Sequence, residues 1–126
     1  MSDSDRTIET EKRIALSDRS VALDHDGHLL HVDQWCPEVA QKLAEREGRE
    51  LTPEHWEVLY LLRDFYQRYD MAPVMRALVK AVRRELGEQK GSSLYLMRLF
   101  PEGSAAESPA RVAARLAGLP RPTNCL

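Results

Sequence analysis

The stretch LTPEHWEVLYLLRDFYQRYD, residues 51–70, constrains this chain more than any other part of it. Trp56, Leu59, Tyr60, Leu62, Phe65, Tyr66 and Tyr69 recur at helical spacing, without the alternation of a half-buried strand. Thr52 is an N-cap candidate, Pro53 suits the first helical position, and Glu54 adds negative charge to the first turn. A helix with so broad an apolar face has to be covered by other elements, so this one is expected at the centre of the core.

The neighbouring segments read as its partners. Pro37 opens a helix with Val39, Ala40, Leu43 and Ala44 on one face, ending near Gly48. Asp70-Met71-Ala72-Pro73 breaks the chain before VMRALVKAVRREL, which presents Val74, Leu78, Val79, Val82 and Leu86 and stops at Gly87. After a Lys90–Ser93 loop, SLYLMRLF is a short apolar helix ended by Pro101. Glu102–Glu107 reads as a flexible connector, and Ser108-Pro109 caps the helix PARVAARLA, which Gly118 terminates. That last helix is rich in alanine and carries only a weak apolar stripe, so it is expected to dock weakly.

Before Pro37 the signals change. Residues 1–18 are polar and aperiodic and read as a disordered or loosely held tail. Val21–Leu23 and Leu29–Val32 are β-prone runs around Asp24-His25-Asp26-Gly27, where Gly27 supplies a positive φ, so a small hairpin is predicted. The fold class is therefore mostly α (α+β): a small helical bundle with an N-terminal β-hairpin, one domain over residues 19–118, and a flexible arm over 119–126.

Composition narrows the functional classes. A chain of 126 residues, 43% hydrophobic and 30% charged, supports one modest core. No apolar run approaches the ~20 residues that span a bilayer, and MSDSDRTIETEKR has no apolar signal region, so a cytoplasmic protein is expected. Residues 1–70 carry 9 Lys/Arg against 16 Asp/Glu, whereas residues 71–126 carry 9 against 4. Such asymmetry points to an anionic partner or an anion of the protein's own, with chance placement of solvated charge as the alternative.

The chemistry concentrates at the C-terminus, LPRPTNCL. Pro120 and Pro122 fix their own φ and keep their predecessors out of the α region, which predicts a semi-extended arm projecting Cys125 outward. A thiol on such an arm can enter a partner's active site, and the upstream Arg111, Arg115 and Arg121 favour its nucleophilic thiolate; an accidental terminal cysteine is the alternative. Cys36, after Trp35 and before a helix, reads as a half-buried, inert thiol, and a reducing compartment disfavours its pairing with Cys125.

Other signals are weaker. His25, His28 and His31 with Asp24 and Asp26 resemble a metal set, but His28 and His31 would point to opposite faces of a strand, so no metal is expected. His55, in the first turn of the aromatic helix, suits capping or packing better than acid–base work. The helices flanking Asp70–Pro73 suggest a helix-turn-helix whose second helix brings Arg76, Lys80, Arg83 and Arg84 towards phosphate, which keeps a non-catalytic DNA-binding or regulatory module as an alternative. A pI near 6.1 counts against it.

Taken together, LTPEHWEVLYLLRDFY, PVMRALVKAV, GEQKGSSLYLMRLFP and LAGLPRPTNCL, in this order from about Val21 to the last residue, resemble the TusE/DsrC family of sulfur-carrier proteins. The resemblance implies a sulfurtransferase that carries sulfur as a persulfide on Cys125, with no cofactor beyond that covalent group. In the TusE branch it implies a TusBCD-like donor, an MnmA-like thiouridylase acceptor and a final destination in tRNA, reached through the acceptor. In the DsrC branch a second arm cysteine stands eleven positions before the penultimate one and pairs with it in dissimilatory sulfur metabolism. Here that position is Ala114, which favours the single-thiol branch and leaves a sulfur-oxidation carrier as the alternative.

Two departures stand out: the EGSAAE insertion and extended N-terminus, and Ser108-Pro109 with Arg111-Val112 where the family commonly has Gly-Pro and Lys-Gln. Arg76, Lys80, Arg83, Lys90, Arg98, Arg111, Arg115 and Arg121 are candidates for stabilising the persulfide anion or docking an acidic partner.

Overall fold

The computed structural model describes residues 12–102 and 107–122. The aromatic stretch forms helix α2 (Pro53–Tyr69), as its start signals require. The His55 ring accepts the Thr52 backbone N–H at Nδ1 (3.0 Å) and meets the Leu99 carbonyl at Nε2 (2.7 Å). One tautomer satisfies both, with the proton on Nε2. His55 thus caps α2 and ties it to the end of a later helix, also packing edge-on against Phe100. Asp70 ends α2 in the left-handed region, its N–H donating to the Tyr66 carbonyl.

The buried face of α2 is narrower than its apolar content suggests. Val58, Leu59 and Leu62 are fully buried, but Tyr60 and Tyr69 are each 51% exposed, and Trp56 is only partly covered. Residues 56, 60 and 63 lie on a flank, where the Trp56, Tyr60 and Trp35 rings pack in series. Aromatic rings there cover the edge of the core without filling it.

Helices α1 (Pro37–Arg46), α3 (Met75–Leu86) and α4 (Ser93–Leu99) fall where their patterns place them. The C-terminal helix α5 (Pro109–Leu116) overturns its expectation. It does not dock weakly: Ala110, Val112, Ala113, Ala114, Leu116 and Ala117 are all fully buried, and α1, α2, α3 and α4 all pack on it. Alanine shows little stripe because it is small, and for the same reason it lets neighbouring helices approach on every side.

The N-terminal hairpin is shifted along the chain. Strand β1 (Arg13–Ala15) pairs antiparallel with β2 (Ser20–Ala22), with Ile14 opposite Val21 and both buried. Residues 13–18 are therefore not a disordered tail, because Ile14 anchors them, and the Ser17 N–H and hydroxyl both donate to Glu38 of α1. The expected turn is present, with Gly27 at φ +85, but the second run contributes one bridge, Leu23 to Leu29, before a 3-10 turn at Val32–Gln34. Residues 1–11 of the expected tail and 103–106 of the expected connector lie outside the described residues.

Candidate functional site

Because the last four carbonyls of a helix have no partner within it, the C-terminus of α5, from which the arm departs, needs donors. Gly118 takes φ +73 and continues the turn, with its N–H on the Arg115 carbonyl and the Leu119 N–H on the Ala114 carbonyl. The carbonyls beyond are met by side chains from three distant segments. Trp35 Nε1–H donates to the Leu116 carbonyl at 3.0 Å. Arg63 Nη1 donates to the Ala117 carbonyl at 2.8 Å, while its Nη2 donates to the Val32 carbonyl at 3.1 Å. His28 Nδ1 lies 2.8 Å from the Leu119 carbonyl and must carry the proton there.

Two of the three donors support each other. The Arg63 guanidinium lies 4.6 Å from the Trp35 ring centroid, a cation–π contact. Trp35 leaves no room for a side chain at 118: a Cβ on Gly118 would fall 2.3 Å from Trp35 Cδ1. His28 is fully buried, and this burial lowers its pKa, so it donates as a neutral imidazole.

A charge network sits beside this cap. Buried Arg115 donates to both oxygens of Glu47 (2.8 and 3.2 Å) and of Glu107 (2.6 and 3.0 Å). Burial alone would lower the Arg115 pKa, but the two carboxylates outweigh it and raise it. The Arg115 hydrogen bonds in turn hold Glu107 below its usual range. Arg111 lies 3.4 Å from Glu107 and 4.0 Å from Asp26, and Asp26 lies 2.9 Å from Arg121.

The described start of the arm does not simply project outward. Pro120 and Arg121 are exposed, but Pro122 is buried, and the Arg121–Asp26 pair draws the chain back across the Asp24–Gly27 turn. Cys125 lies outside the described residues.

Of the eight basic candidates, Arg111, Arg115 and Arg121 are gathered at the root of the arm. Arg115 is fully engaged by two carboxylates. The others belong elsewhere: Arg83 holds the Gly91 carbonyl, Lys90 pairs with Glu57 at 2.7 Å, and Arg76, Lys80 and Arg98 are exposed on α3 and α4. Cys36 is the half-buried N-cap residue of α1, its Sγ 3.8 Å from Arg19 Nη2. Among the described residues, no group of three or more His, Cys, Asp or Glu side chains is placed to hold a metal; His28 is committed to Leu119, and His25 and His31 are exposed.

Of the residues that hold the root, the sequence gives Trp35 and Arg63 no role and weighs His28 only as a metal ligand. Arg63 left one trace, a cation in the midst of the apolar run LYLLRDFY.

A family model described as "DsrC like protein" matches residues 15–126, nearly the whole chain. The chain belongs to the DsrC-like family. Among curated relatives of this DsrC-like chain, a sulfurtransferase TusE homolog of Haemophilus influenzae is 52% identical, with 84% of this chain and 93% of the relative aligned. Sulfurtransferase TusE of Escherichia coli K12 is 44% identical over 86% of this chain and 94% of its own. Among solved structures, DsrC of Allochromatium vinosum superposes with a TM-score of 0.81 at 43% identity, covering 91% of this chain and 98% of that one. The oxidized DsrC γ-subunit of the dissimilatory sulfite reductase from Archaeoglobus fulgidus gives 0.73 at 36% identity, covering 90% and 99%. The hairpin-plus-helices architecture is thus the DsrC fold.

Proposed function

We propose that this DsrC-like protein is a single-thiol sulfur carrier that holds sulfur as a persulfide on Cys125. The observation that carries the reading is the pairing of TusE relatives at 44–52% identity with a chain whose last helix roots a short, cysteine-bearing arm in the core. The Cys125 thiolate attacks the outer sulfur of a donor persulfide. The donor's S–S bond breaks, its cysteine leaves as a thiolate that takes up the proton, and Cys125 becomes the persulfide. The second step repeats this exchange on an acceptor thiol, with no net oxidation and no cofactor.

The TusE relatives favour a TusBCD-like donor and an MnmA-like acceptor, serving 2-thiouridine synthesis in tRNA in the cytoplasm. No described helix is long and apolar enough to cross a membrane. The likeness to A. vinosum DsrC supports a second reading, a carrier in sulfur oxidation. Ala114, fully buried in α5, leaves such a carrier without the second arm cysteine of the resemblance.

The test is reconstituted transfer from a persulfidated donor, with peptide mass spectrometry. The adduct is expected on Cys125 and not on Cys36. Cys125→Ser is expected to abolish transfer while Cys36→Ser transfers normally. An adduct mainly on Cys36, or transfer by Cys125→Ser, sinks the reading. Formation of 2-thiouridine on adding the MnmA-like enzyme and tRNA separates the tRNA role from sulfur oxidation. Salt-sensitive DNA gel shifts by a protein that takes up no sulfur would instead support the regulatory module.

A further inference from the structure

The cap on α5 has a consequence for transfer that rests on the carrier reading. Backbone order is enforced up to Leu119: its N–H is bonded within the helix end and its carbonyl is bonded to His28. Pro120 and Pro122, which follow, have no N–H to give. Arg121 is tethered through its side chain to Asp26 and is 51% exposed there. Pro122 is buried, so beyond Leu119 the described chain is held by side-chain contacts alone, and its backbone hydrogen bonding ends between Leu119 and Pro120.

We propose that Trp35, Arg63 and His28 are positioning residues for sulfur transfer: by holding the Leu116, Ala117 and Leu119 carbonyls they pin the pivot of the arm and so limit the volume its thiol searches. Cys125 is the sixth residue after Leu119, so the thiol can lie at most about 20 Å from the pivot. If the cap failed and the last turn frayed, the tether would lengthen to about ten residues. Effective concentration falls as the −3/2 power of tether length for a flexible chain, or with the cube of reach for an extended one. Encounter with a docked partner's thiol would then slow by about two- to fivefold. The thiol itself would be unchanged, because none of the three side chains needs to touch it.

Arg63 is the best single probe, since it holds two carbonyls and stacks on Trp35. Arg63→Met keeps the apolar stem and removes the donors. Three quantities are read on the full chain: amide hydrogen exchange at Gly118 and Leu119, reaction of Cys125 with a small aromatic disulfide, and single-turnover sulfur transfer from a persulfidated donor protein. The expected result is exchange at least about tenfold faster, an unchanged small-disulfide rate, and transfer slowed about two- to fivefold. Trp35→Phe keeps the ring against Gly118 and deletes only the bond to Leu116, so it stands in should Arg63→Met not fold; it shifts both affected readouts less, in the same direction. Arg63→Lys, able to meet one carbonyl, falls between wild type and Arg63→Met.

Faster exchange with an unchanged transfer rate overturns the inference. So does a parallel fall in the small-disulfide rate, which would place the effect on the thiol. A wild-type protein that transfers no sulfur defeats the carrier reading itself, a result visible before any variant is made.

Discussion

Gly118→Ala tests the packing at the root of the arm most severely. Two separate costs apply. The backbone at 118 sits at φ +73, where an L side chain costs roughly 1–2 kcal/mol. The added Cβ would fall 2.3 Å from Trp35 Cδ1 and 2.8 Å from Cγ, so the indole has to move. Overpacking of this kind costs roughly 1–3 kcal/mol. Displacing the ring also loosens its bond to the Leu116 carbonyl and its contact with Arg63, but those losses are the form the overpacking relief takes and are not counted twice. The sum is about 2–5 kcal/mol, a large part of the stability of a domain this size. Urea unfolding followed by circular dichroism measures it. Repeating Gly118→Ala in a Trp35→Leu background removes most of the clash, and the cost should fall to the backbone share of roughly 1–2 kcal/mol. A loss below about 1 kcal/mol in the native background, or the same loss in both, would refute the argument that Trp35 is seated on Gly118.

Other expectations follow from the surrounding contacts. Glu107 is held below 4.5, chiefly by its hydrogen bonds to Arg115, so the unfolded chain takes up this proton first; the stability it brings is present above pH 4.5 and is lost as pH falls through the folded-state value. Glu107→Gln should therefore lower the melting temperature at pH 7 and flatten its decline below pH 4.5, as calorimetry across pH 3–7 would show. Asp26→Asn should change stability by less than about 1 kcal/mol, since Arg121 is half exposed; it leaves that guanidinium unpaired, and the pH midpoint of Cys125 alkylation should move down. Trp56→Ala, at a half-buried flank, should cost about 2 kcal/mol and not the 3–5 of a fully buried tryptophan, by the same urea titration.

The elements that read correctly from sequence are those whose burial is one-sided. Helix α3 shows Leu78 and Val82 on one face and charge on the other, and Thr52-Pro53 states plainly where α2 begins. Helix α5 has no polar face to contrast with its apolar one, apart from Arg111 and Arg115, so a method that looks for contrast underrates it. Strand β1 failed for a different reason: three residues with one buried side chain, Ile14, are too few to show a period. The sequence shows the arm as a local feature, eight consecutive residues with Cys125 outside the described ones, whereas the root of the arm joins positions 28, 35 and 63 to 116–119, a convergence that no local pattern contains.

The charge asymmetry takes a different meaning once the chain is folded. Read along the sequence, an acidic first part and a basic second part suggest a search for anionic partners. In the structure Arg111 and Arg121 approach Asp26, Arg115 meets Glu47, and Lys90 meets Glu57, each pairing a basic residue after position 70 with an acid before it. Much of the imbalance is the two parts of one domain facing each other. The buried member, Arg115, illustrates the logic. An unpaired guanidinium there would be strongly destabilising, so α5 can enter the core in one register, with Glu47 and Glu107 on either side. A helix lined by alanines could otherwise slide or rotate at little cost, because small side chains interlock poorly. Pro120 to Pro122, the described start of the arm, follow directly from the end of that helix, so its register sets where they begin. On the proposed carrier reading, the part Arg115 plays is to fix where the arm begins, its guanidinium being taken up by Glu47 and Glu107.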